Sequence, residues 1–243
     1  MKFHMPDPGF LLRELRITTP VIGVYDTDRS DGFNPVVTPS ETKIECLFVH
    51  YRRWQAGYTV RLHPDRIVCP GLAYWLFSRE LLSREDFLTF LVDYERIRNS
   101  RDLMSEWLDR TPPYRPAGEY LFVGPLKPNR FEYLRTVTFF VTPDQLSSLL
   151  TGACTAAPAD GPAAVIAPSG PGCSQLLSLF GDLNIPQAII GATDIAMRQY
   201  LPEHLVTFTV TRTMFKRLCS LGEESILKGP FVQRLNSVRN PGT

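Results

Sequence analysis

Residues Gly118–Leu150 read GEYLFVGPLKPNRFEYLRTVTFFVTPDQLSSLL, and this stretch decides the fold. Glu119 to Val123 is a short aromatic and β-branched run, ended by Gly124 and Pro125. Lys127-Pro128-Asn129-Arg130 is turn chemistry, because proline fixes φ and lacks a donor while asparagine tolerates turn geometry. Leu134 to Val141 is continuous Val, Thr and Phe, the pattern of a strand buried on both faces. Thr142-Pro143-Asp144 then supplies an N-cap, a first-turn proline and an acidic residue, which start a helix over Gln145–Leu150.

Working outward, shorter elements fall on either side. Towards the N-terminus, a lead-in helix is expected over Phe10–Leu15, a strand over Val21–Tyr25 and a loop over Asp26–Ser40. Ile44, Leu47, Phe48, Tyr51 and Trp54 recur at helical spacing, which predicts a helix over Thr42–Gln55 stopped by Gly57. A strand over Tyr58–Leu62 precedes helices over Leu72–Phe77, Ser83–Arg96 and Leu103–Asp109. Thr111 to Pro116, with three prolines, is a linker between helical and sheet-rich portions. Towards the C-terminus, Thr151–Pro162 reads as an Ala/Gly/Pro loop, with strands at Ala163–Ala167, Ala188–Ile190 and Val206–Val210. Helices follow at Cys173–Phe180 and Thr211–Leu221, and the tail 236–243 is expected to be flexible. The resulting class is α/β or α+β: one domain over 1–243, a mixed sheet of about five or six short strands, and a helical subregion at 72–109.

The order of motifs resembles the domain-of-unknown-function family 169, the uncharacterised ArCR proteins. The matching features are Pro125-Leu126 before a turn, the buried strand Val137–Val141 and Pro143-Asp144-Gln145, with a span of about Pro20 to Leu218. The resemblance implies shared architecture and no activity. It also implies a cysteine in the first helix, one before a Pro/Gly helix start and one after a glycine-containing loop, where Cys46, Cys69 and Cys173 stand.

Composition narrows the function classes. Of 243 residues, 44% are hydrophobic and 21% charged, ordinary values for a globular protein. A net charge of +1 argues against an electrostatic nucleic-acid binder. No apolar run approaches the roughly 18 residues that span a bilayer, and prolines interrupt the N-terminus where a signal peptide needs its apolar region. The expected location is the cytoplasm, without a membrane or nucleic-acid partner. Five widely spaced cysteines suggest reduced thiols rather than a disulfide framework.

Cys69 and Cys173 each adjoin Pro/Gly at an expected helix start, where free amides favour thiolate over thiol. Cys46 is expected inside the Thr42–Gln55 helix, off its apolar stripe. If Cys46, Cys69 and Cys173 converge, they are candidate ligands for an iron–sulfur cluster or another thiolate-bound metal, with Cys154 a possible fourth. Against this, no CxxC spacing occurs, and free cysteines often pack as small hydrophobes, as expected for Cys219. The alternative is a metal-free small-molecule binding or regulatory domain using Gly170 and Gly172, whose amides can cradle an anion although the P-loop and dinucleotide patterns are missing. A third reading is a thiolate enzyme using Cys173, for which no base is evident. His50 and His63 flank a Tyr51-Arg52-Arg53-Trp54 run, read as the exposed face of a helix, and Asp194 with Arg198 as a surface pair. No paired-carboxylate site is apparent.

Overall fold

The computed structural model describes residues 5–37, 46–62, 69–76, 82–97, 99–110, 114, 116–156, 164–166 and 187–239. Their strands are β1 (Val21–Thr27), β2 (Val36–Val37), β3 (Thr59–Leu62), β4 (Tyr120–Pro125), β5 (Leu134–Val141), β6 (Ala164–Ile166), β7 (Ala188–Gly191) and β8 (Val206–Thr211). They form one mixed sheet in the order β2-β3-β4-β1-β5-β8-β7-β6. The β2/β3 and β6/β7 pairs at the two edges are parallel, and the interior pairs are antiparallel. The α/β class is as expected, but the sheet has eight strands rather than five or six. One addition, β2, lies in the stretch read as a loop, where its backbone pairs with β3 although only two residues are involved.

Strand β5 sits at the centre and is buried on both sides, as its unbroken apolar and Thr sequence requires. Val137, Phe139 and Val141 enter one core, whereas Phe140 enters the other. The first core lies under α1 (Gly9–Glu14), α6 (Pro143–Ala156) and α8 (Arg212–Cys219). The second lies under α2 (Tyr51–Gln55), α3 (Pro70–Leu76), α4 (Arg84–Thr89), a π-helical turn (Phe90–Tyr94) and α5 (Arg101–Arg110). The short α7 (Ile195–Arg198) contributes Met197 to this second core, and α9 (Pro230–Arg239) ends the described chain.

Local chemistry accounts for the helix starts. Thr142 and Gln145 form a reciprocal capping box: the Gln145 amide N–H donates to the Thr142 hydroxyl at 3.4 Å, and the Thr142 N–H donates to the Gln145 side chain at 3.0 Å. Ser83 and Thr211 cap α4 and α8 by accepting from Asp86 and Met214 N–H. Helix α6 continues to Ala156, so the reading of Thr151 onward as a loop is corrected up to that residue. Its small residues serve close packing: a Cβ on Gly152 would lie 3.1 Å from Leu221 Cδ1, and Ala153 is buried.

The expected Thr42–Gln55 helix is also corrected. Residues 42–45 lie outside the described chain, Cys46 is extended (φ −158°, ψ 142°), and a 3-10 turn Leu47–His50 precedes α2. The stripe Leu47, Phe48, Tyr51 and Trp54 is nonetheless buried, and Trp54 Nε1–H donates to the Val123 carbonyl at 3.1 Å. Gly57 takes a positive φ of 87° at the end of α2, the left-handed conformation that glycine adopts without strain. Arg52 and Arg53 are exposed as expected, but His50 is buried.

Between α5 and β4, Tyr114, Ala117 and Gly118 are fastened to the end of β1. The Asp26 side chain is fully buried and accepts from Ala117 N–H (2.8 Å), Gly118 N–H (2.7 Å), the Arg135 guanidinium (3.3 Å) and the Tyr114 hydroxyl. A carboxylate so surrounded by donors is a buried charge with its hydrogen bonds satisfied.

Candidate functional site

On the second-core side, a cleft of about 490 Å³ opens between two chain segments. One wall is Tyr94-Glu95-Arg96-Ile97, where the helical run begun at α4 ends, and the other is Thr193-Asp194-Ile195-Ala196, which runs from the link after β7 into the start of α7. The first wall departs from ordinary helix geometry, and the second is the turn that leads into the first residues of α7. Leading into the first, Glu95 N–H donates to Phe90 C=O at 2.9 Å and Ile97 N–H to Leu91 C=O at 3.0 Å, so the helix widens before it stops. Arg96 then turns left-handed (φ 56°), and Ala192 does the same before the second wall (φ 65°). Left-handed non-glycine residues and π-turns both concentrate at functional sites, where packing holds the backbone against its preference.

Two carboxyl groups line this cleft. Asp194 caps α7 by accepting from Ala196 N–H at 2.9 Å. Glu95 accepts no hydrogen bond from a described residue and is half-buried. Burial foremost, then the charge of Asp194, pushes its carboxyl up to about 7, so it exchanges a proton near neutrality. The rim is apolar and open: Ile195 is 88% exposed and Tyr94 79%, the latter stacked on Phe90 with ring centroids 5.5 Å apart. Arg198 is turned to another task, donating to the carbonyls of Leu205 (2.5 Å), Glu203 (2.6 Å) and Pro202 (3.4 Å) and fixing the loop after α7.

Cys46 and Cys69 pack against the same core. Each occupies the residue before a helical turn: Cys46 precedes the 3-10 turn and its sulfur accepts the Phe48 N–H, and Cys69 precedes α3 and accepts from Leu72 and Gly71. The expected helix-start position of Cys69 is therefore found. Its expected consequence is not, because burial outweighs the amides and raises both thiols, Cys46 to about 12. Both also feel the charges of Glu95 and Asp194, and Cys46 feels Cys69, so the four groups share one neighbourhood. Among the described residues, no group of three or more His, Cys, Asp and Glu side chains is placed to hold a metal ion. The expected third ligand, Cys173, and the glycines Gly170 and Gly172 lie outside the described residues. Cys154 is exposed on α6, which covers the opposite face of the sheet, and Cys219 packs into the first core.

Sequence reasoning missed the Glu95/Asp194 pair because its members are remote in the chain. The available local signal was an acidic residue closing the apolar Phe90–Tyr94 run, combined with an Asp at a helix start.

A family model matches residues 11–220, that of DUF169, described as uncharacterised ArCR. No curated protein and no solved structure matches the chain. Among the described residues, no helix is long and apolar enough to cross a membrane.

Proposed function

The chain belongs to the DUF169 family, and from that premise we propose that it is a cytoplasmic small-molecule-binding protein. Its ligand occupies the cleft between Tyr94–Ile97 and Thr193–Ala196. The observation that carries this reading is a half-buried carboxyl, Glu95, facing a cavity of about 490 Å³ without a hydrogen-bond donor from the described residues. Cavities of this size with apolar walls and a few polar groups are typical of small-molecule sites. A carboxyl near its midpoint at neutral pH can accept or return a proton, so the cleft suits recognition and also general acid–base chemistry. The test is a thermal-shift screen of metabolites against the wild type and Ala196→Phe, which fills the cleft from its rim. A stabilising ligand should lose its effect in the variant; one that stabilises both proteins equally binds elsewhere.

One observation favours a second reading, a thiolate-bound metal or iron–sulfur cluster. Cys46 and Cys69, with the 3-10 turn, α2 and β3 between them in the chain, meet in one neighbourhood, and both sulfurs already accept amide N–H groups. Metal binding displaces a thiol proton, so raised thiols make such a site strongly pH-dependent without preventing ligation. Cys173 would complete a three-sulfur set. Anaerobically purified protein should then contain iron with sulfide, or zinc, and lose it in Cys46→Ser and Cys69→Ser. Metal-free protein that is fully folded removes this reading.

A further inference from the structure

We propose that Arg135 and Arg212 form a second site, separate from the cleft, which binds the phosphate group of a small molecule. Thr136 and Thr211 make the last rung of the β5/β8 ladder. The two arginines are the next residues outward, so they leave the same end of the sheet side by side. On its other edge β5 slips against β1: Val24 lies opposite Thr136 and Tyr25 opposite Leu134, which leaves Arg135 as the extra residue of a bulge. Such bulges re-aim a side chain and recur next to active sites. Arg212 opens α8, whose N-terminal dipole also favours an anion. The cleft is at the other end of the strands. Gly191, just before its second wall, lies opposite Thr207, about 16 Å of strand away from Arg212.

Neither guanidinium is used up by the fold. Arg135 Nη2 donates to Asp26 Oδ2 at 3.3 Å beside the Tyr114 hydroxyl, and Arg212 Nη1 donates to the Glu132 carbonyl at 2.8 Å. Each side chain carries five N–H donors, so most remain for a ligand or water. The balance of charge agrees. A guanidinium beside a carboxylate holds its proton more tightly, as Arg29 does with Asp31 and Arg239 with Asp144. Arg212 is instead pushed down, by burial first and then by the charge of Arg135. An anion lying between the two would relieve that repulsion. Both arginines are only half-exposed, which suits a compact head group. A carboxylate has two oxygens and is satisfied by one fork, whereas a phosphate offers three oxygens and up to two charges to a pair of forks.

Phenyl phosphate, inorganic phosphate and benzoate, titrated calorimetrically into the full chain at pH 8 and low salt, separate the possibilities. Phenyl phosphate should bind saturably, at least as tightly as inorganic phosphate and about tenfold more tightly than benzoate, the effect of one further charge-assisted hydrogen bond. Arg212→Gln should weaken it about tenfold, and Arg212→Lys, which keeps the charge without the fork, should recover only part. Arg52→Gln, an exposed arginine on α2, should change nothing. Ala196→Phe, which fills the cleft, should also leave phenyl phosphate binding intact. A second measurement needs no variant: phenyl phosphate should slow the modification of Arg135 and Arg212 by phenylglyoxal, read by mass spectrometry, and spare Arg52 no labelling. No saturable phosphate binding, equal affinity for benzoate, or unaltered binding in Arg212→Gln would overturn the inference. So would loss of binding in Ala196→Phe, which would place the phosphate in the cleft, or labelling of Arg135 and Arg212 that phenyl phosphate does not slow. Tighter binding of inorganic phosphate than of its phenyl ester would overturn the assignment to a phosphorylated small molecule.

Discussion

Replacing Glu95 by Gln should stabilise the folded protein at alkaline pH and do nothing at acid pH. The Glu95 carboxyl sits at about 7 in the fold against an ordinary 4.5, chiefly because burial disfavours its charge. A carboxyl raised on folding is held more tightly as the acid, so the fold binds more protons than the unfolded chain between these values. Stability therefore falls as pH rises through the window from about 4.5 to about 7 and then stays low. For a group cut off from water the full difference corresponds to roughly 3 kcal/mol. Glu95 retains contact with solvent, and screening reduces this to about 1–2 kcal/mol. Glutamine keeps the size and polarity of the side chain and removes the ionisation. Urea denaturation at pH 8 should thus show Glu95→Gln more stable by about 1–2 kcal/mol, or roughly 2–8 °C in Tm for a chain of this size. At pH 4.5 the two proteins should coincide. A gain of equal size at both pH values would trace the effect to packing, and no gain at pH 8 would refute the placement of Glu95 in a poorly solvated cleft beside Asp194.

Other residues give simpler tests. Asp26→Ala should cost about 3 kcal/mol in denaturant melts, because two backbone N–H groups and Arg135 lose a buried acceptor together; a loss below about 0.5 kcal/mol would show that the clamp on residues 114–118 does not matter. Burial, with Arg53 adding to it, pushes His50 down to about 4, so the stability it contributes is present above pH 6.5 and is lost as pH falls to 4. His50→Leu should flatten that acid-side loss, measured by tryptophan fluorescence, and an unchanged profile would oppose the assignment. Residue-resolved mass spectrometry after brief iodoacetamide treatment at pH 7.5 should find the exposed Cys154 alkylated well before Cys46 and Cys69, whose thiols are raised by burial. Comparable rates at the three positions would contradict their placement.

The stretch 118–150 carried its structure openly because each local rule agreed with the tertiary one. Leu134 to Val141 had to be doubly buried, and Thr142 and Gln145 could cap only a helix start. Where packing overrode local preference, reading failed. The Thr-Gly-Ala-Cys-Thr-Ala run looks like a loop, but it completes α6 because Gly152 and Ala153 permit close approach to Leu218 and Leu221. Cys46 falls within the run read as a helix, but its backbone is extended, and its neighbours are buried through a 3-10 turn instead. The candidate cleft was the least legible part. Its walls come from distant segments, and a half-buried Glu95 has no local signature distinct from a solvated one.

Leu62 of β3 lies opposite Leu121 of β4 in an antiparallel pair, so the chain departs for its helical excursion and comes home at nearly the same point. A tight hairpin would satisfy that pairing, which makes the described helices between β3 and β4 a side trip from the sheet's wiring rather than a part of it. One jaw of the cleft, Tyr94–Ile97, belongs to the side trip, and the other, Thr193–Ala196, hangs from β7. Selection or an engineer can therefore reshape the first jaw, and with it what the protein grips, while every rung of the ladder stays where it is.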